Sequence, residues 1–174
     1  MLKETILIRR TRVTAALLVG AVIPLGQSAV ALASPSAGGD RIRGAGVSHP
    51  AGDDQRSLQV DAQSMNTAAS GATGHLTFDH HSQVGLNHFT GTISCLRISA
   101  QKGTTTVTLS GRIDQDHTAT GVPLADKPYA FTLLSTSAGS QSFSLPSFIP
   151  GPPCAGSNKR QVPVTQGGFQ LGSS

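Results

Sequence analysis

Phe89-Thr-Gly-Thr-Ile-Ser-Cys95-Leu-Arg-Ile98, continued past Lys102-Gly103 by Thr106-Val-Thr-Leu-Ser-Gly-Arg-Ile113, decides the fold class. Phe89, Gly91, Ile93 and Cys95 alternate with Thr and Ser, and Val107, Leu109, Gly111 and Ile113 alternate with Thr, Ser and Arg. A period of two is the mark of strands that bury one face. Lys102-Gly103 supplies the positive-φ position that a hairpin turn requires, so Ser99 to Gly103 reads as the loop between them.

The same alternation extends in both directions. Leu58, Val60 and Ala62 share one parity, as do Leu76 and Phe78, then Tyr129, Phe131 and Leu133, then Phe143 and Leu145. Val162 and Val164 begin a last segment that ends in Phe169 and Leu171. No helical stripe is sustained after residue 33. The expectation is an all-β fold: a single small antiparallel β-sandwich or barrel of about seven strands. Two segments change parity. Cys95 gives way to Leu96 and Ile98, and Val162 and Val164 give way to Phe169 and Leu171 across Gly167-Gly168. Each change marks a β-bulge or a crossing of faces. His80 to Leu86 and Asp114 to Lys127 read as loops, and Leu145 to Cys154 as a Pro-rich one.

Parity also fixes one register. If Leu76 and Phe78 face the core shared by Phe89 and Gly91, then Phe78 opposes Phe89. Asp79 then opposes His88, and His75 opposes Thr92, on the outer face. His75, Asp79 and His88 lie on that stripe, with His81 at its loop end. Imidazoles and a carboxylate can hold Zn²⁺ or Cu²⁺, although no recognised metal spacing is present. The simpler reading is a polar outer face, and no cofactor is expected.

The chain's start is different in kind. Lys3, Arg9, Arg10 and Arg12 precede an apolar stretch from Val13 to Leu25, and Ala31-Leu-Ala33 precedes Ser34. This is the layout of a secretory signal peptide over residues 1–33, and the expected location is secreted, extracellular or cell-wall associated. Residues 34–56, rich in Gly, Pro, Ser and Ala, read as a disordered tail, and residues 57–172 as the β domain. Without residues 1–33 the chain keeps nine basic and eight acidic residues, a net charge of +1. That balance argues against nucleic acid as a partner. No later apolar run is long enough for stable membrane insertion. Cys95 and Cys154 are the only cysteines. In an oxidising compartment they read as a disulfide rather than as thiol nucleophile or metal ligand.

Gly91-Thr-Ile-Ser-Cys-Leu-Arg-Ile98, Gly103 to Gly111, Tyr129-Ala-Phe-Thr132, Phe143-Ser-Leu145, Pro152-Pro-Cys154 and Val164-Thr-Gln-Gly-Gly168 resemble a family of small secreted β domains from high-GC Gram-positive bacteria. The family has no settled activity. The resemblance implies the β fold and the Cys95–Cys154 pairing, and it carries no catalytic residue.

Enzyme signatures are absent. There is no Gly-x-Ser-x-Gly elbow, no His-Glu-x-x-His and no phosphate-binding Gly loop. Glu4 is the only glutamate, so paired-carboxylate hydrolysis would need two Asp. With no Trp and a single Tyr at a core-parity position, a sugar platform is disfavoured. Phe148-Ile149, in the Pro-rich loop, either present a binding surface of the kind protease inhibitors use or cap an open end of the fold. The expected function is a non-catalytic binding or structural module outside the cell. Its partner would be a protein or a cell-envelope component. An extracellular metal-binding protein and a secreted protease inhibitor are the alternatives.

Overall fold

The computed structural model describes residues 39–172 apart from 65–70, 84, 120, 149–150 and 153. The signal-peptide reading of residues 1–33 and the first part of the tail lie outside the described residues. Nine strands follow one another: β1 Arg41–Ala51, β2 Asp54–Ser64, β3 Ala72–Ser82, β4 Gly85–Gln101, β5 Thr104–Thr118, β6 Pro128–Thr136, β7 Gln141–Ser144, β8 Gln161–Pro163 and β9 Gln166–Gly172. They form one sheet in the order β8-β7-β6-β5-β4-β3-β2-β1-β9, with each neighbouring pair antiparallel.

The count corrects the expectation of about seven strands, and the architecture corrects the sandwich. A single sheet curls into a half-barrel, so its inner face packs on itself instead of on a second sheet. The inward positions are those that alternation identified. Leu58, Val60, Leu76, Phe78, Phe89, Ile93, Val107, Leu109, Phe131 and Leu133 are all buried in one core. Phe131 sits at its centre, with ring centroids 5.4 Å from Phe78 and 6.1 Å from Tyr129.

Residues 41–56 are not a tail. They form β1 and the start of β2, and β1 pairs on both sides, with β2 and with β9. Only Ile42 on its inward face is large; the others are Gly44, Gly46 and Ser48. The glycines answer a need of β9. A Cβ on Gly46 would stand 2.8 Å from the Phe169 ring, and one on Gly44 would stand 2.2 Å from the Gly168 carbonyl oxygen.

The two parity changes have different causes. In β4, Ile93 pairs with Gly111 and Cys95 with Ser110, leaving Ser94 as the extra residue of a bulge. The bulge turns Cys95 outward and Leu96 inward. The Val162-to-Phe169 change is a true break. β8 and β9 lie at opposite edges of the sheet, and the chain crosses between them. Gln141 of β7 closes this gap. Its Oε1 accepts from the Phe169 N–H and its Nε2 donates to the Phe169 carbonyl, both at 2.8 Å, so one side-chain amide replaces a rung of backbone ladder.

The Lys102-Gly103 turn is tighter than expected, two residues with φ of 50° and 79°, as a type I′ turn demands. Beyond β7 the chain pairs Ser147 with Ala130 and then crosses the outer face. Cys154 is bonded to Cys95 there, as expected. The Thr132 hydroxyl donates to the Ser157 carbonyl at 2.9 Å. An outer groove lies between this crossing and Ser94, Ser110 and Arg112.

Tyr129 is buried, and its hydroxyl donates to the Thr92 carbonyl at 2.9 Å. Its phenol pKa is pushed well above the usual value, first by burial and then by the Asp114 charge. The unfolded chain ionises Tyr129 near pH 10 while the folded chain does not. The folded state therefore holds the extra proton, and stability falls as pH rises above about 10, by up to ~1.4 kcal/mol per pH unit. Tyr129 is the only tyrosine. Alkaline titration is expected to show tyrosinate absorbance rising together with loss of near-ultraviolet structure, not before it.

Candidate functional site

Following the register across the curled sheet shows its interior is layered. Leu58, Phe78 and Phe89 oppose one another on β2, β3 and β4 and form an apolar rung. One inward position nearer the hairpin end, the rung is polar. Ser48 opposes Arg56, Arg56 opposes His80, His80 opposes Asn87 and Asn87 opposes Thr118, across β1 to β5. This polar collar sits over the aromatic core.

A second bulge completes it. Thr90 pairs with Gln115 and Gly91 with Ile113, so Asp114 is the extra residue in β5. After it the inward parity passes to Asp116 and Thr118. Residues 114–118, expected in a loop, are therefore strand. Asp116 then shapes the connection that follows. Its carboxylate accepts from the Leu124 N–H at 3.0 Å and from the Ala125 N–H at 2.9 Å. The Thr118 hydroxyl donates to the Val122 carbonyl at 2.9 Å. Two polar side chains thus fold the connection after Thr118 back so that Val122 and Leu124 meet the collar.

The result is a cavity of about 340 Å³. Phe78, Phe89, Leu124, Leu145 and Phe148 supply its apolar walls, and His80, Asn87 and Thr118 its polar ones. The large apolar residues most exposed among those described are Val122 at 53% and Leu86 at 41%, and both lie at this end. A mainly apolar cavity with a few convergent polar groups has the composition of a small-molecule site.

Beside it lies a second cavity of about 350 Å³, lined by Asp54, Arg56, His80, Ser82 and Gln83. His80 is common to both. Asp54 joins the collar's charged members: Oδ2 accepts from Arg56 Nη2 at 2.5 Å, and Oδ1 lies 3.0 Å from His80 Nε2.

The expected hairpin register is present: Phe78 opposes Phe89, Asp79 opposes His88 and His75 opposes Thr92. The candidate metal ligands nevertheless do not converge. Asp79 is engaged by His88 Nδ1 at 2.6 Å and by the Ser57 hydroxyl at 3.0 Å. His75 lies four residues along β3 from Asp79, roughly 13 Å away. His81 lies two residues the other way, opposite Leu86. Among the described residues no three His, Cys, Asp or Glu side chains are grouped to hold a metal ion. The Ser57–Asp79–His88 chain is not a nucleophile's triad either. The carboxylate is in the middle, and Ser57 donates to it instead of to imidazole.

Phe148 is partly buried, with its ring 5.8 Å from that of Phe89. It is a wall of the cavity and not a displayed anchor; Ile149 lies outside the described residues. Sequence reading missed Ser48, Arg56, Asn87, Thr118 and Leu124. The available signal was parity, since Arg56 continues the Leu58, Val60, Ala62 stripe and His80 the Leu76, Phe78 stripe.

Comparison of the chain with protein-family profiles, with curated proteins and with solved structures gave no match.

Proposed function

We propose that this protein is a non-catalytic binding module acting outside the cell, and that its ligand is a small, largely apolar molecule of the envelope or medium held at the mouth of the curled sheet. The observation that carries this reading is the apolar cavity beneath a polar collar, with Leu86 and Val122 exposed at the same end. Burial of apolar ligand surface there is worth about 25 cal/mol per Å² before association costs. The exported location rests on the leader-like residues 1–33, and the Cys95–Cys154 disulfide is compatible with it.

A neutral, environment-sensitive probe tests the reading. N-phenyl-1-naphthylamine is expected to brighten on titration into the oxidised protein. Leu124→Trp adds bulk inside the cavity from a loop position and is expected to weaken binding about tenfold, equivalent to ~1.4 kcal/mol. Absence of enhancement with the native chain would remove the proposal.

A further inference from the structure

We infer that Arg56 is an anion receptor, and that the ligand of the collar site is a small amphiphile with a carboxylate head. This rests on the binding-module reading and adds the chemistry of the ligand's polar end. Arg56 is 9% exposed and stands on the stripe of Leu58, Val60 and Ala62, each at most 2% exposed. An apolar residue would continue that stripe without cost. Guanidinium instead brings five N–H donors and no acceptor. Asp54 takes Nη2, whereas buried Nε and Nη1 have no hydrogen-bond partner among the described residues. The buried hydroxyl of Ser48, opposite Arg56 in the ladder, also has none. Buried donors left unmatched are unfavourable. Among the described residues the Arg56 Nε and Nη1 donors meet no acceptor.

The charge balance limits how much negative charge the acceptor can carry. Asp54 already offsets Arg56 and also touches His80. The cluster therefore suits a singly charged head better than a phosphate dianion. The two cavities supply the rest of the match, one apolar and one lined by Arg56, with His80 between them. An alkyl body against Phe89, Leu124 and Phe148 places its head at the collar. Both Arg56 nitrogens are covered, so the head enters by side-chain movement, and His80 is the residue placed to turn aside.

Decanoate and 1-decanol share a body and differ in the head. Each is titrated against the oxidised protein loaded with N-phenyl-1-naphthylamine. Decanoate is expected to displace the probe at a concentration at least tenfold lower than decanol. Arg56→Gln is expected to erase that preference by raising the decanoate concentration needed. The native chain gives a second readout should the variant not fold: the Arg56 Nε–H resonance shifts with decanoate and stays with decanol. Equal displacement by both, with no Arg56 shift, overturns the anion receptor and leaves the binding module standing. Failure of the neutral probe to brighten with the native chain overturns the two together.

Discussion

Phe131→Ala is expected to destabilise the folded chain by about 3–5 kcal/mol, the range for truncating a fully buried aromatic. Phe131 is 0% exposed and touches the rings of Phe78, Phe89 and Tyr129 at centroid distances of 5.4, 6.3 and 6.1 Å. These rings come from three strands that a half-barrel brings face to face. Among the described residues no second sheet backs the site, so surrounding strands can fill the void only by closing the curl further. Part of the loss is transfer free energy and the rest is the cavity term. The same substitution should weaken probe binding, because Phe78 and Phe89 form the floor of the mouth cavity. Urea unfolding of the oxidised protein measures the first effect. A loss below about 1 kcal/mol would mean that these rings do not form one packed core.

Removing the disulfide by paired Cys95→Ala and Cys154→Ala is expected to cost about 4 kcal/mol. The bond closes a loop with a sequence separation of 59, for which chain entropy gives that magnitude. It also fixes the crossing segment to the outer face at Cys95, beside the Thr132–Ser157 and Ser157–Leu145 hydrogen bonds. Leu145 and Phe148 line the mouth cavity at the start of this segment. Loss of the bond therefore reaches the site as well as the fold. The measurement is thermal unfolding with and without reductant, paired with probe titration. Equal midpoints would show that the crossing is held without the bond.

How much of this was legible in the chain follows from the range of each signal. The β3–β4 register was legible because both strands carry large inward residues and one parity condition links them. The β4 bulge was legible because Cys95 and Leu96 are both apolar and break the alternation. β1 was not. Its inward face is Ile42, Gly44, Gly46 and Ser48, and it is a strand because β2 and β9 accept it on either side. One of those partners, β9, is more than a hundred residues away in the sequence, a scale at which local composition is silent. The collar was hidden for a related reason. Arg56, His80, Asn87 and Thr118 are ordinary polar residues in sequence. They become one rung only when three ladders are in register and the Asp114 bulge has exchanged the parity of β5. The Asp79–His88 pair, by contrast, was legible because the β3–β4 register sets the two opposite each other, yet it lies on the outer face away from the cavity.

The most direct test of a ligand site inside the curl is where a bound neutral probe sits. Nuclear Overhauser contacts from N-phenyl-1-naphthylamine to side-chain protons of the oxidised protein give that position. The expected result is contacts to Phe89, Leu124, Leu145 and Phe148. Contacts confined to Ser110, Arg112 and Pro152 of the outer groove would place binding outside the sheet and contradict a site at its mouth.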